Sequence, residues 1–465
     1  MYKNPSRAEF TGDYVYILIT RSLPAAKLQP DNLKYTLATV IFAATYGAIA
    51  FRNIRGRGLP IWSIMLIGAV AMVFTGTIEV SEAYKAINLE VIVFLFSMFA
   101  FVTALDVSGV LEDVAAKLFL KAKKPEDIIY LTFFVFGLAA AVLMNDTLAL
   151  MGTPIMLSLA RKMHISPKPL LLALAFSVTI GSALTPMGNP QNLLIALTSG
   201  MPAPVITFVH YLLLPTIANL LLTSLIIILF YRAELRSAGK NFTQLIDLEA
   251  SLKESRITDQ RLAKQTTTLL TLTVAGIVLI NVFETIGFKT QFGISEVSLL
   301  GASILLLLTN RRREILKKLD WSILVLFASL FVLMQAVWDA GVITQISSYL
   351  PPLSKGNPTT SLLAILAASV LLSQLLSNVP MVALYLPIMK TSGYEPLDKY
   401  AWIALAGGST LAGNLTLIGA ASNLIIVEEA ENRGHTLGFF EFIKIGLPVT
   451  ILNIGILYFS LTLFT

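Results

Sequence analysis

Residues 143–156 read LMNDTLALMGTPIM, and residues 376–389 read LSNVPMVALYLPIM. Each stretch interrupts an apolar run with polar residues around an Asn, and each continues to a Pro-Ile-Met that begins nine residues after that Asn. Leu, Ala and Met occur in any apolar helix, so the evidence for a repeat comes from the shared Asn and Pro. The match of Asn145 with Asn378, and of Pro154 with Pro387, indicates an internal repeat.

Two further matches keep almost the same separation along the chain. Five positions of 97–110 recur in 329–342, and the pattern Thr-x-x-Gly-x-x-x-Asn of 185–192 recurs in 416–423. The three matches follow the same order in both halves. They predict a two-fold repeated membrane protein whose functional site lies between the halves.

Composition indicates a membrane protein. Of the 465 residues, 55% are hydrophobic and 13% are charged, and the mean hydropathy is +0.76, whereas globular proteins carry about 25% charged residues. We therefore expect an all-α, multi-pass protein of the cell membrane. The chain has no Cys, which excludes disulfides and thiolate metal sites, and its three His residues show no metal-ligand spacing. The net charge of +6 does not indicate nucleic-acid binding, because the basic residues of a membrane protein mark its cytoplasmic loops.

Apolar runs divide the chain into eight uninterrupted spans and four interrupted segments. The predicted spans are 35–51, 59–76, 89–110, 205–231, 267–286, 297–310, 320–340 and 437–463. The interrupted segments are 128–161, 168–199, 360–390 and 399–430. Segment 1–34 is either an interfacial helix or one extra crossing, so we expect about 10–11 transmembrane helices.

The interrupted segments are of two kinds. Segments 128–161 and 360–390 are predicted re-entrant hairpins, because arms of 10 to 17 residues reach only roughly 15 to 25 Å of a hydrocarbon core of roughly 30 Å. Segments 168–199 and 399–430 are predicted transmembrane helices broken by Gly, Asn and Pro or Ser. Non-helical backbone at membrane depth lines a cavity or is buried in protein, so these breaks are expected to face the site.

The two halves are predicted to be inverted in the membrane. Each half, 35–231 and 267–465, crosses five times, and an odd number of crossings reverses the direction of the second half. The loops that this topology places in the cytoplasm hold 23 Lys and Arg residues, whereas the opposite loops hold 5. The polar segment 232–266 is the predicted cytoplasmic linker between the repeats.

The repeated order of a hairpin with Asn at its tip, a Pro nine residues later and a broken helix with Thr-x-x-Gly-x-x-x-Asn resembles the ion transporter superfamily. That superfamily includes divalent anion:sodium symporters, arsenite-efflux permeases, sodium/proton antiporters and citrate carriers. The tips Met144-Asn145-Asp146-Thr147 and Asn378-Val379-Pro380 look most like the arsenite-permease branch and its anion-permease relatives. The symporter branch is expected to show Ser-Asn-Thr at both tips, and neither tip of this chain has that triplet.

Polar residues at the four bends are the candidate site. Helix ends at a hairpin tip attract an anion through backbone N–H groups and coordinate a cation through carbonyl groups. The resemblance implies that each tip meets the broken helix of its own half, with candidate sodium sites at Asn145/Gly188 and Asn378/Gly419. The candidate substrate- and ion-binding residues are Asn145, Asp146, Thr147, Thr185, Gly188, Asn189, Asn192, Ser377, Asn378, Thr416, Gly419, Ser422 and Asn423. Capping of the hairpin arms is the alternative role, above all for Thr147 and Ser377.

Asp146 is the candidate proton carrier. A carboxylate at membrane depth costs about 2.5 to 3.5 kcal/mol on insertion scales, and desolvation favours its neutral form. The residue at this place in the second half is Val379, so the hairpin itself does not require an acid. The alternative is an Asp that caps the second arm of the hairpin. Asp106 and Asp339, near the ends of predicted spans, are assigned to loop or headgroup positions.

These features favour a secondary active transporter over a channel or an enzyme. A channel needs a continuous polar pore, whereas polarity is concentrated here at the bends, and the chain contains neither a phosphate-binding Gly-x-x-x-x-Gly-Lys-Ser/Thr loop nor a His-Glu-x-x-His motif. We expect transport of a small anion, or of arsenite as its neutral hydroxide, coupled to protons or sodium. The resemblance implies elevator-type alternating access in a homodimer. The alternative functions are a sodium/proton antiporter and a sodium-coupled di- or tricarboxylate symporter, and a separate ATPase subunit is a less favoured partner.

Overall fold

Helices are the only regular elements in the part of the chain that the structure describes. A computed structural model describes residues 32–51, 59–238, 257–288, 292–348, 353 and 355–464. Most of the predicted N-terminal segment and the middle of the predicted linker lie outside these residues. The helices are α1 (Asn32–Phe51), α2 (Ile61–Phe74), α3 (Val80–Ala86), α4 (Leu89–Ser108), α5 (Val110–Phe119), α6 (Pro125–Leu143), α7 (Asn145–Lys162), α8 (Lys168–Ser182), α9 (Pro190–Ser199), α10 (Pro204–Phe230), α11 (Arg232–Ala238), α12 (Gln260–Thr285), α13 (Ile294–Leu308), α14 (Arg312–Lys318), α15 (Trp321–Asp339), α16 (Val342–Ser348), α17 (Pro358–Leu376), α18 (Asn378–Thr391), α19 (Lys399–Ala412), α20 (Ala421–Glu431) and α21 (Phe439–Thr462).

Helix length and composition confirm an all-helical, multi-pass membrane protein. Within the described ranges, seven helices are long and apolar enough to cross a membrane: α4, α6, α10, α12, α15, α17 and α21. The helices α2, α8 and α13 are apolar but shorter, at 14, 15 and 15 residues. Each of the eight predicted uninterrupted spans coincides with one helix. The inverted orientation of the two halves stays a prediction.

Two helical hairpins form where the sequence predicts them. In the first, α6 and α7 reverse direction at Met144, and the Thr132 hydroxyl donates to the Met156 sulfur at 3.8 Å, with both residues twelve positions from the bend. In the second, α17 and α18 reverse at Ser377, and Lys355 pairs with Asp398 at 2.7 Å across the base of the hairpin. This hydrogen bond raises the pKa of the Lys355 amine.

The two bends share an unusual backbone conformation. Met144 and Ser377, which are equivalent in the repeat, have φ values of 64° and 68°. Positive φ is uncommon in residues other than glycine, because the Cβ atom crowds the backbone. The same conformation at equivalent positions supports the repeat independently of residue identity, since Met and Ser are chemically different.

The hairpin arms are longer than the sequence predicts. The arms of the first hairpin have 19 and 18 residues, or about 27 to 28 Å of helix, and those of the second have 19 and 14. The first arms start earlier than expected because Pro125 and Pro358 occupy the first helical turn, where proline's fixed φ favours a start. Helix length alone therefore does not distinguish a hairpin arm from a transmembrane crossing. The reversal of chain direction at the bend distinguishes them.

The broken helices also agree with the sequence, although each break begins earlier than expected. Residues 183–189 separate α8 from α9, and residues 413–420 separate α19 from α20. The Asn189 side chain accepts from the Asn192 backbone N–H at 2.9 Å and so caps α9. A proline follows at the first helical position.

Hairpins and broken helices pack across the repeat boundary. The first arm of each hairpin packs on the first part of the broken helix of its own half, α6 on α8 and α17 on α19. The second arms contact the broken helix of their own half and also pack on the other half, α7 on α20 and α18 on α9. The expectation that each tip meets its own broken helix therefore describes only half of the arrangement.

The helices α10 and α21 join this central bundle. They pack against each other and against the hairpins and broken helices, where the sequence analysis placed them among the ordinary spans. Asn219 and Asn453 meet between them, with the Asn219 amide donating to the Asn453 carbonyl oxygen at 3.4 Å. The central bundle therefore comprises α6 to α10 and α17 to α21. The outer helices α1 to α4 and α12 to α15 pack mainly among themselves, and we call them the scaffold.

The closest backbone contact in the central bundle joins α6 to α8. A Cβ atom built on Gly181 would lie 1.8 Å from the Gly137 carbonyl oxygen. We expect Gly181→Ala to cost about 1 to 3 kcal/mol through overpacking, measured as a lower unfolding temperature of the purified protein in detergent. Gly455→Ala in α21 is the control, because its added methyl carbon would have no neighbouring atom within 4 Å. Equal stability of the two variants would contradict the close approach.

Candidate functional site

The first hairpin tip joins the two halves of the protein. The Asn145 backbone N–H donates to the Gly188 carbonyl oxygen at 3.0 Å, and the Asn145 side-chain amide donates to the Ser422 hydroxyl at 3.4 Å. The Asn145 side-chain oxygen accepts from the Asp146 N–H at 3.0 Å. This places the N-termini of α7 and α20 side by side. Two positive helix ends so arranged favour an electron-rich ligand atom between them.

The break of the first half is closed by side chains. Asn192 donates to the carbonyl oxygens of Ser182, Ala183 and Thr185, at 3.2 to 3.4 Å. The Thr410 hydroxyl donates to the Asn192 side-chain oxygen and accepts from the Asn189 amide, both at 3.1 Å. The freed backbone groups of this break are therefore satisfied inside the protein, partly by the other half. The Thr185 hydroxyl donates to the Ala141 carbonyl oxygen of the first hairpin.

The break of the second half is organised by a similar set of bonds. Asn423 donates to the carbonyl oxygens of Gly413 and Thr416, at 2.7 and 3.3 Å. The Thr416 hydroxyl donates to the Gln374 side-chain oxygen at 2.8 Å and accepts from the Gly419 N–H at 3.2 Å. Gln374 lies on the first arm of the second hairpin, so this half-site also joins hairpin and break.

The two half-sites differ in how completely their polar atoms are paired. Among the described residues, no hydrogen-bond partner exists for the buried side-chain oxygens of Asn378, Asn414 and Asn423, or for the Thr179 hydroxyl. The register that matches the two Thr-x-x-Gly-x-x-x-Asn patterns makes Thr179 the equivalent of Thr410, but Ala420 stands where the first half has Asn189. The second half-site therefore lacks one amide of the first and retains several open oxygen acceptors.

A cavity of about 540 Å³ adjoins the first hairpin tip. It separates the second arm of that hairpin and α20 from the scaffold helices α4 and α15. The lining residues are Phe99, Thr103, Asp106, Glu112, Asp146, Thr147, Leu150, Met151, Pro154, Lys318, Asp320, Ile323, Ile425, Glu428, Glu429 and Asn432. Asp146 is the most enclosed acid of this wall, with 8% of its surface exposed. Asp106, which lies near the end of α4 as the sequence predicts, lines the same cavity.

The structure gathers the predicted residues into three groups. Asn145, Gly188 and Ser422 meet at the first tip. The first break contains Thr185, Asn189 and Asn192, and the second contains Thr416, Gly419 and Asn423, with Ser377 and Asn378 at the buried second tip. Asp146 and Thr147 face the cavity instead.

Sequence reasoning missed four polar residues of these groups: Thr179, Gln374, Thr410 and Asn414. The match of Thr179 with Thr410 in the repeat register was the available signal. Gln374 and Asn414 have no polar repeat equivalent, so only the fold reveals them. No cluster of three or more His, Asp or Glu side chains able to hold a metal ion occurs in the described part of the chain.

Helical hairpins, broken helices and a shared polar centre inside a membrane-spanning bundle define a secondary transporter. Residues 46–407 match the family described as "Citrate transporter", and the chain belongs to that family. Together with its apolar helices, this membership makes it a multi-pass membrane transport protein.

Named relatives and one solved structure agree with this class. The "46 kDa membrane protein" of Mycobacterium leprae is 28% identical over 430 residues, covering 90% of this chain and 96% of the relative. The "Silicon efflux transporter LSI3" of Oryza sativa subsp. japonica is 27% identical, with coverage of 90% and 96%. The "Putative transporter arsB" of Dictyostelium discoideum is 25% identical, with coverage of 87% and 88%. The crystal structure of the Alcanivorax borkumensis YdaH transporter shares the fold, with a TM-score of 0.53 at 14% identity, over 93% of this chain and 98% of that one.

The unequal half-sites predict unequal effects of one substitution. Thr410→Val should cost about 1 to 3 kcal/mol, because it leaves the buried amides of Asn189 and Asn192 short of a partner. Thr179→Val is the matched variant and should be neutral or stabilising, because the Thr179 hydroxyl has no hydrogen-bond partner among the described residues. Thermal unfolding of both variants in detergent measures the difference. Equal losses of stability would contradict the asymmetry.

Proposed function

We propose that the protein is a secondary active transporter that moves a small anion or polyhydroxy solute, such as arsenite, by elevator-type alternating access. The observation that carries this proposal is the cavity of about 540 Å³ that ends at Asp146 and Thr147, beside the meeting point of Asn145 and Ser422. Its rim contains Lys318, Glu428 and Glu429, which lie in or beside loops predicted to be cytoplasmic. The cavity is thus a cytoplasmic entrance to the first half-site.

The second hairpin tip has a different relation to the scaffold. The Tyr46 hydroxyl of α1 donates to the Pro380 carbonyl oxygen of this tip at 3.2 Å, and both groups are buried. One tip adjoining a cavity and the other bonded to the scaffold is what a one-sided conformation of an alternating-access carrier requires. The central bundle would be the moving unit and the scaffold the fixed one, in a protein that we expect to be a homodimer.

Solute recognition follows from the groups at the first tip. Backbone N–H groups at the two helix N-termini attract an oxygen atom, and the hydroxyls of Thr147 and Ser422 add donors and acceptors. Such a set suits an oxyanion or a hydroxylated solute. The names of the family and of one relative agree with this range, since silicon dissolves as silicic acid, a small hydroxide, and citrate is a hydroxylated anion.

Asp146 supplies the coupling in this proposal. Its carboxyl lies in the cavity wall, one residue from the Asn145 that joins the two halves, and it is nine-tenths buried. Binding a proton removes the charge that makes movement of this group through the bilayer costly. The protonation state of Asp146 therefore determines whether the moving bundle can change position.

Asp146→Asn should uncouple transport from protons. We expect proteoliposomes with this variant to lose solute accumulation driven by an imposed pH gradient, at least ten-fold, while solute exchange at equal pH continues. Asp339→Asn is the control, because Asp339 is an acid on the scaffold whose side chain accepts from Gln335 at 2.9 Å. Unchanged gradient-driven transport in Asp146→Asn would remove this residue from the coupling role.

Sodium coupling is the second candidate, as in an antiporter or a sodium-coupled carboxylate symporter. The observation in its favour is the group of open acceptors at the second half-site, the side-chain oxygens of Asn378, Asn414 and Asn423. Buried oxygen atoms without donors suit a dehydrated cation.

A sodium site at the second half would make folding stability depend on sodium. At a concentration of 100 times the dissociation constant, sodium should stabilise the protein by about 2.7 kcal/mol, and Asn414→Ala should remove most of this gain. Thermal unfolding in sodium chloride against choline chloride measures it. A stabilisation by sodium that rises from pH 5.5 to 8 in the wild type, but not in Asp146→Asn, would favour the antiporter. The absence of any sodium-specific stabilisation would leave protons as the coupling ion.

A further inference from the structure

We propose that the acidic wall of the cavity is a charge filter that excludes multiply charged anions, so that the solute reaching Asn145 through it is a small uncharged polyhydroxy compound. This inference rests on the proposed function, in which the cavity is the path of the solute. It narrows the class of solute within that function.

The cavity wall is strongly acidic. Six carboxylates and one amine line it, and the carboxylates belong to Asp106, Glu112, Asp146, Asp320, Glu428 and Glu429. They come from α4, α5, α7, the start of α15 and α20, so separate parts of the fold direct acids into one space. Such convergence differs from a charged stripe along a single solvated helix.

Few of these charges are neutralised. Glu429 forms an ion pair with Arg433. Lys318, the one amine of the wall, lies 3.7 Å from Glu314 outside it, and its charge also attracts that of Asp106 in the wall. Within the described residues, the other five acids of the wall form no ion pair. Proteins bind multiply charged anions with Arg or Lys clamps, and no Arg is among the described residues that line this cavity.

Asp146 lies at the inner end of the acidic wall. Its side chain is nine-tenths buried, lines the cavity and makes no hydrogen bond to any described residue. A carboxyl group in this position accepts a hydrogen bond from a solute hydroxyl, whether the acid is charged or neutral. When Asp146 is ionised, a carboxylate or sulfate group of a solute would instead meet a like charge where water is sparse, and that repulsion discriminates against it.

Size does not provide this selectivity. A cavity of about 540 Å³ lies within the range of roughly 300 to 1,000 Å³ of ordinary ligand pockets, so citrate fits as well as arsenous acid. Charge is the property that separates the two.

Flux through proteoliposomes of the full chain tests the filter. The probes are arsenous acid, which is uncharged at pH 7, and sulfate and citrate, which are polyanions. The wild type should move arsenous acid at least ten-fold faster than either polyanion under the same pH gradient. In the variant Asp106→Asn, Asp320→Asn and Glu428→Gln, the ratio of citrate to arsenous acid flux should rise at least ten-fold. Asn keeps the capping ability of Asp320, whose side chain accepts from the Ser322 N–H at 3.1 Å.

A matched control and a second variant keep the outcomes distinct. Glu79→Gln, Glu296→Gln and Glu395→Gln remove the same charge from exposed positions outside the cavity and should leave the ratio unchanged. If the triple cavity variant does not fold, the single exposed change Glu428→Gln should still raise the ratio at least two-fold. Wild-type flux of citrate or sulfate equal to that of arsenous acid, or a ratio insensitive to the cavity acids, would overturn the filter while the transporter remains. Absence of flux for all three probes would instead count against the proposed function.

Discussion

Backbone polar groups at membrane depth must find partners inside the protein, and the rest of this structure depends on how they do so. The two broken helices expose carbonyl and N–H groups in the middle of the bundle. In the first, Asn192 holds three of these carbonyl groups, and Asn189 caps the helix that follows. A side-chain amide suits this task because it carries donors and an acceptor on one short arm. The break is thereby a fixed element, and the hairpin tip has a firm surface to contact.

The same requirement links the halves. Thr410 of the second broken helix completes the hydrogen bonding of Asn189 and Asn192, and Asn145 of the first tip reaches Ser422. Neither half satisfies its own central polar groups alone. The candidate site is therefore a property of the assembled pair of repeats, and the first tip is built from residues of both halves. The halves also diverge here: Ala420 stands where the first half has Asn189, and the Thr179 hydroxyl and the Asn423 side-chain oxygen have no partner among the described residues.

The two hairpin tips differ in sequence, and the acidic cavity indicates a chemical role for that difference. The first tip has an acid after its Asn, and this acid joins others from four further segments of the chain. The second tip has Val379 at that position and lies against Tyr46 of the scaffold. One hairpin tip thus has a titratable group that faces the cavity, and the other has a neutral contact with the scaffold. In the alternating-access mechanism that we propose, each copy of the repeat would take one of these two functions.

The sequence by itself determined the helical class, the repeat, both hairpin bends and the approximate position of each helix break. These features depend on local chemistry: an Asn next to a reversal, a Pro at a helix start and an apolar period interrupted at one place all act within a few residues. Arm lengths were underestimated because the extra turns before Ile128 and Thr360 are polar or begin with proline, which resembles loop composition. Only the tertiary structure decided which elements meet, because packing of α7 on α20 and of α18 on α9 joins residues from opposite halves of the chain. It placed Asp106 and Asp146 in the wall of one cavity and gave Gln374 and Thr410 their partners, since no local pattern encodes contacts that arise when two repeats interlock.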